Sequence, residues 1–70
     1  MKIDGGKCIR EAIKLRGKTA TQVARDLGML RQAFDRWKYS SDIRLSKAQM
    51  LADYFELHIF DFLKLGEIHE

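Results

Sequence analysis

The sequence predicts an all-α fold, five short helices forming one compact domain over residues 1–70. Three observations carry that prediction. The chain has no proline and few stretches that alternate with period two, so nothing in it reads as a run of strands. Its apolar residues recur at i, i+3, i+4 in separate short stretches, the spacing of a one-sided helix. Gly17, Gly28 and Gly66 stand where three of those stretches stop, and at Gly17 and Gly28 glycine tolerates the left-handed conformation that ends a helix.

In chain order, the first helix is predicted over residues 7–16, with Ile9, Ala12 and Ile13 inward and Gly17 ending it. The second opens on Thr19-Ala20-Thr21-Gln22, a capping box in which the threonine hydroxyl accepts from the Gln22 amide and the Gln22 side chain reaches back. Ala20, Val23, Ala24 and Leu27 form its stripe, and Gly28 closes it. A third helix follows after only Met29 and Leu30, with Leu30, Ala33, Phe34 and Trp37 as its inward apolar residues. The segment Tyr39 to Arg44 is polar and reads as a loop. The fourth helix is expected to start at Ser46, where Ser46-Lys47-Ala48-Gln49 is a second capping box and Leu45 can staple onto Met50. Its inward residues are Ala48, Leu51, Ala52 and Phe55. After a turn at Glu56-Leu57-His58, a short fifth helix runs from Ile59 to Leu65, and the tail from about residue 67 is expected to be flexible.

Bulk properties narrow the function. A single cysteine, Cys8, leaves no disulfide and fits a reducing compartment; its reading is a small apolar residue of the first helix. No stretch is long and apolar enough to span a bilayer, and Asp4, Gly5 and Gly6 interrupt anything resembling a signal peptide, so the expected location is cytoplasmic. Net charge is +3, unevenly spread: residues 1–47 hold 12 Lys or Arg against 5 Asp or Glu, whereas residues 48–70 hold Lys64 alone against five acids. Such a split suggests one face built for a polyanion and another kept away from it.

The basic part carries the informative unit, Thr19 to Lys38. Two short helices are joined by a turn that opens with glycine, and Ala24 is small where they must approach. With Leu30, Ala33, Phe34 and Trp37 inward, Arg31, Gln32, Asp35, Arg36 and Lys38 point out. Arginine can donate two hydrogen bonds to guanine O6 and N7, and glutamine can bond adenine N6 and N7. Residues near the start of a recognition helix reach base edges, which favours Arg31 and Gln32, with Arg36 one turn on.

Through the stretches TATQVARDLGMLRQAFDRW and RLSKAQMLADYFELHIFDFLKLGE, the chain from Ile9 to Gly66 resembles the XRE family of lambda-repressor-like, Cro-like helix-turn-helix regulators of phages, mobile elements and antitoxins. The resemblance implies a five-helix lambda-repressor-like domain with helices 2 and 3 as the helix-turn-helix. It implies that the third helix enters the major groove, usually of an inverted repeat bound by a homodimer. By position, Arg31, Gln32 and Arg36 match base-reading residues, and Thr19, Ala20 and Lys38 to Ser41 (Tyr39 and Ser40 between them) match residues against the DNA backbone. Three departures stand out. Leu30 replaces the usual Ser or Thr cap, His58 replaces a better cap on the fifth helix, and Ile13 with Lys38 replaces an Arg–Glu pair between helices one and three.

Each residue also has a plainer reading. Arg31 and Asp35 can form an exposed i, i+4 pair; Asp35 can instead accept from a cytosine N4, orient Arg31, or repel phosphate. Phe34 and Trp37 lie on the inward stripe and read as core rather than as a stacking platform. Tyr39 offers a hydroxyl to a phosphate and Arg44 a loop cation, whereas Lys14, Lys18 and Arg25 read as solvated surface. His58 and His69 are too far apart, with no further ligands, to suggest a metal site. No nucleophile–base set, paired buried acids or phosphate-cradling loop can be assembled, so no enzyme, cofactor or small-molecule ligand is expected. The fifth helix carries apolar residues around too much of its circumference, which suggests a dimer contact through Phe60 and Leu65. The expected function is sequence-specific transcriptional regulation, most simply repression, by a homodimer on double-stranded DNA. The rival reading is a protein-interaction module, an antitoxin or anti-repressor using the same bundle.

Overall fold

The computed structural model describes residues 2–68, so His69 lies outside the described residues. Among these there are five α-helices and one short strand pair: β1 (Lys2–Ile3), α1 (Gly5–Leu15), α2 (Ala20–Asp26), α3 (Arg31–Tyr39), α4 (Leu45–Tyr54), α5 (Ile59–Lys64) and β2 (Glu67–Ile68). α1 packs mainly against α3 and α5, α2 against α3, and α4 against α5. Among the described residues, no helix is long and apolar enough to cross a membrane.

The expected stripes meet in one core. Cys8, Ile9 and Ala12 of α1, Val23 and Ala24 of α2, Phe34 of α3, Ala48, Leu51 and Ala52 of α4, Phe55, and Phe62 of α5 are all buried. Small residues at 12, 24, 48 and 52 leave room for three rings, and Phe55 stacks on Phe62 with centroids 6.4 Å apart. Burial pushes the Cys8 thiol pKa up, as expected of a packed cysteine.

Helix ends divide into those set locally and those set by distant partners. Gly17 (φ 63°) and Gly28 (φ 69°) take the left-handed conformation expected of them. Thr19 caps α2, its Oγ1 accepting from the Gln22 N–H at 3.1 Å. α1, in contrast, begins two residues before its predicted start. Asp4 is its cap, accepting from the Lys7 N–H at 3.1 Å. The free N–H groups of Gly5 and Gly6 are taken by the Ser41 and Ser40 carbonyls, at 2.9 and 2.7 Å. Only glycine fits there, since a methyl group on Gly6 would collide with the Lys38 carbonyl.

The second capping box does not form. The Arg44 carbonyl accepts from the Ala48 N–H at 2.9 Å, so α4 starts at Leu45, one residue early, with no side-chain cap. Gln49 bonds Asp53 instead of reaching back, and Leu45 and Met50 are both exposed rather than stapled. Conversely, His58 does cap α5: its Nδ1 accepts from the Phe60 N–H at 3.2 Å. Glu56, the one non-glycine residue at positive φ (57°) among those described, makes the preceding turn. Arg16 secures that turn by donating to the Phe55 and Glu56 carbonyls at 2.8 and 3.1 Å.

The chain ends also depart from a purely helical fold with a loose tail. β1 and β2 pair antiparallel, Lys2 opposite Ile68 and Ile3 opposite Glu67. Lys7 Nζ donates to the Glu67 carbonyl at 3.0 Å, and the Asp4 N–H to the Gly66 carbonyl at 2.8 Å. Gly66 is therefore more than a helix stop: any side chain there would strike Cys8 Sγ and the Asp4 carbonyl.

Candidate nucleic-acid interface

α3 divides into two faces. Phe34 is buried, and Trp37 lies half-buried 6.4 Å from it, with Lys47 Nζ 4.1 Å above its ring. Both aromatic residues therefore belong to the inner side, with the indole covered by a cation. Arg31, Gln32 and Arg36 are exposed on the opposite side. Leu30 is a correction: it is 77 % exposed, not inward. It occupies the capping position of α3 in extended backbone, before the helical stripe begins, and offers no side-chain hydrogen bond.

Arg31 is held at both edges of its guanidinium. Nε donates to Asp35 Oδ1 at 3.0 Å, and Nη1 donates to Thr21 Oγ1 on α2 at 2.6 Å. The Arg31 hydrogen bond and charge hold the Asp35 carboxyl below the usual carboxylate range, with Lys38 adding to the effect from 3.6 Å. Of the roles considered for Asp35, the geometry favours orienting Arg31. Thr21 escaped the sequence reading. It is the second residue of α2, and only the side-chain contact from Arg31 across the junction identifies it.

Lys38 is not fully outward either, its side chain being only 14 % exposed. Besides Asp35, its ammonium sits 5.4 Å from the Tyr39 ring centroid. Arg10 flanks the same ring at 5.5 Å and donates from Nη1 to the Lys38 carbonyl. The α1–α3 link expected of an Arg–Glu pair is thus made by other atoms, while Ile13 is buried apolar surface. Tyr39 is 72 % exposed and belongs to the last turn of α3, not to the loop. Thr19 is exposed and Ala20 half-buried at the start of α2. Ser40, Ser41 and Arg44 have exposed side chains, with the two serine carbonyls committed to α1.

On α5, Phe60 is 68 % exposed. Leu65 is not: it packs against the core, drawn in where the chain turns into β2. The apolar groove beside Phe60 is lined instead by Ile3 and Leu63, with Lys64 and Glu67 at its margin. Among the described residues, no three His, Cys, Asp or Glu side chains are grouped to hold a metal ion. Compared with protein-family models, curated proteins and solved structures, the chain matches none.

Proposed function

We propose that this chain is a sequence-specific double-stranded DNA-binding regulator of transcription, a repressor or autorepressor of the kind carried by phages and mobile elements. In this reading α2, the turn 27–30 and α3 act as a lambda-repressor-like helix-turn-helix. α3 lies in the major groove, where Arg31, Gln32 and Arg36 read base edges. Thr19, Ala20, Tyr39, Ser40, Ser41 and Arg44 flank the helix against the two phosphate strands, with Lys38 a partly covered contributor.

One observation carries the proposal: a short helix anchored by buried Phe34 presents two arginines and a glutamine to solvent, one arginine already braced at two points. Exposed, oriented fork donors suit the bidentate acceptors of guanine. The acids Asp53, Glu56 and Asp61 lie on α4, the following turn and α5, away from that helix in the chain. A homodimer through Phe60 and its groove would place two copies of α3 on half-sites about one helical turn, roughly 34 Å, apart.

Selection from random duplexes followed by gel shift at two salt concentrations tests this. Enrichment of a pseudo-palindrome retained specifically and salt-sensitively is the expected outcome. Equal retention of every sequence, or none, contradicts it and leaves the bundle as a protein-interaction module.

A further inference from the structure

The structure places a second set of cations beside the expected backbone contacts. A groove runs between α1, the start of α2 and the end of α3. Arg10, Lys14, Lys18, Thr19, Lys38 and Tyr39 line it, and among the described residues no carboxylate does. Lys38 is balanced by Asp35 at 3.6 Å, and Lys14 by Glu11 at 3.5 Å with its own side chain 74 % exposed. Arg10 and Lys18 have no carboxylate within ion-pair distance among the described residues. Their neighbours are aromatic: Arg10 lies 5.5 Å from the centre of Tyr39, and Lys18 lies 5.3 Å from the centre of Tyr54.

We infer that this groove is a phosphate clamp for one DNA strand, so that the polar face of α1 takes part in binding. The inference rests on the DNA-binding reading and extends it. Sequence alone had left Lys14 and Lys18 as ordinary surface. Four cations converging on one groove concentrate positive potential where a polyanion gains most from it. Arg10, Tyr39 and Lys38 hold one another in place, so the clamp is ordered before the strand arrives. The occupant is duplex phosphate rather than an exposed base, because two cations already lie over the Tyr39 ring, at 5.5 and 5.4 Å from its centre. A phosphate gains from cations and a hydroxyl together, whereas a stacked base needs a free ring face.

Lys14→Gln and Lys18→Gln are the informative variants, because neither side chain makes a hydrogen bond that holds two elements together. Fluorescence anisotropy on the 70-residue chain, with selected and scrambled duplexes at several salt concentrations, reads the result. Each variant is expected to flatten the log affinity against log salt slope by about 0.9, and the double variant by about twice that, equally on both duplexes. Slopes identical to the parent, with the parent still preferring the selected duplex, overturn the clamp and leave the DNA reading standing. A parent that binds both duplexes alike but loses slope in the variants overturns base reading and leaves the clamp. A parent that binds neither overturns both. If the variant slopes hold for duplex but an acidic polypeptide competes more strongly than scrambled DNA, the groove belongs to a protein partner and the inference fails.

Discussion

At the scale of single residues, Arg31 is the side chain best prepared to read a base. A free arginine side chain holds about 2 kcal/mol of rotamer entropy that must be surrendered on binding. Here the bonds to Asp35 at 3.0 Å and Thr21 at 2.6 Å restrict it beforehand. Arg31→Ala or Arg36→Ala should therefore cost about 1–3 kcal/mol on the selected site and relax one base position. A uniform loss over all sequences, measured by competition among single-base variants, would speak against base reading. Thr21→Val should loosen the same position as Arg31→Ala by a smaller factor, and Thr21→Ser should restore it; equal behaviour of valine and serine would show that the hydroxyl does nothing for recognition. Exposure of Arg31, Gln32 and Arg36 was legible from the helical period alone. Thr21 was not, because its role exists only once α2 and α3 are docked. Nor was the covering of Lys38, since periodicity puts it outward and only the neighbouring Asp35 and Tyr39 fold it down.

At the scale of elements, two contacts decide how firmly the helices are held. Replacing Gly6 by alanine would ordinarily favour a helix by about 1 kcal/mol. The methyl group meets the Lys38 carbonyl, however, and overpacking of this kind costs about 1–3 kcal/mol. Gly6→Ala should accordingly lower the melting temperature, whereas a rise would show that α1 and the loop after α3 can move apart freely. The second contact joins α2 to α4: Tyr54 donates to Asp26 at 2.5 Å, and burial together with that carboxylate pushes the phenol up to about 12. A raised acid favours the protonated folded form, so its stabilisation is complete below the ordinary tyrosine value near 10. It is lost as pH rises toward 12. Absorbance titration should show one tyrosine ionising late, and Tyr54→Phe should abolish that late phase; persistence of the phase would assign it elsewhere. The elements themselves were readable wherever the signal is local, as at Thr19, Gly17 and Gly28. They were misread where the partner is remote. The start of α1 depends on carbonyls of Ser40 and Ser41, and the two-residue strands pair opposite ends of the chain, leaving no periodic trace. At Ser46 the motif was present, but the helix starts one residue earlier without using it, while Ala48, Leu51 and Ala52 are buried as their period implies.

At the scale of the whole molecule, the proposed function assigns DNA binding to the basic first two thirds and pairing with a second copy to the acidic remainder. The excess apolar surface of α5 was legible, but its composition was not: the turn into β2 draws Leu65 partly under cover against the core and brings Ile3 beside Phe60 instead. Phe60→Asp should give a folded monomer with weaker operator binding, and an unchanged sedimentation profile would remove Phe60 from any dimer contact. Replacing guanines of a selected half-site one at a time with 7-deazaguanine shows whether the outer side of α3 meets base edges in the major groove. That substitution deletes the N7 acceptor while leaving Watson–Crick pairing in place. One or two positions should lose affinity by about 1–3 kcal/mol, each insensitive once the matching arginine, Arg31 or Arg36, is alanine. Full affinity at every substituted guanine of a guanine-containing site would contradict base reading by α3.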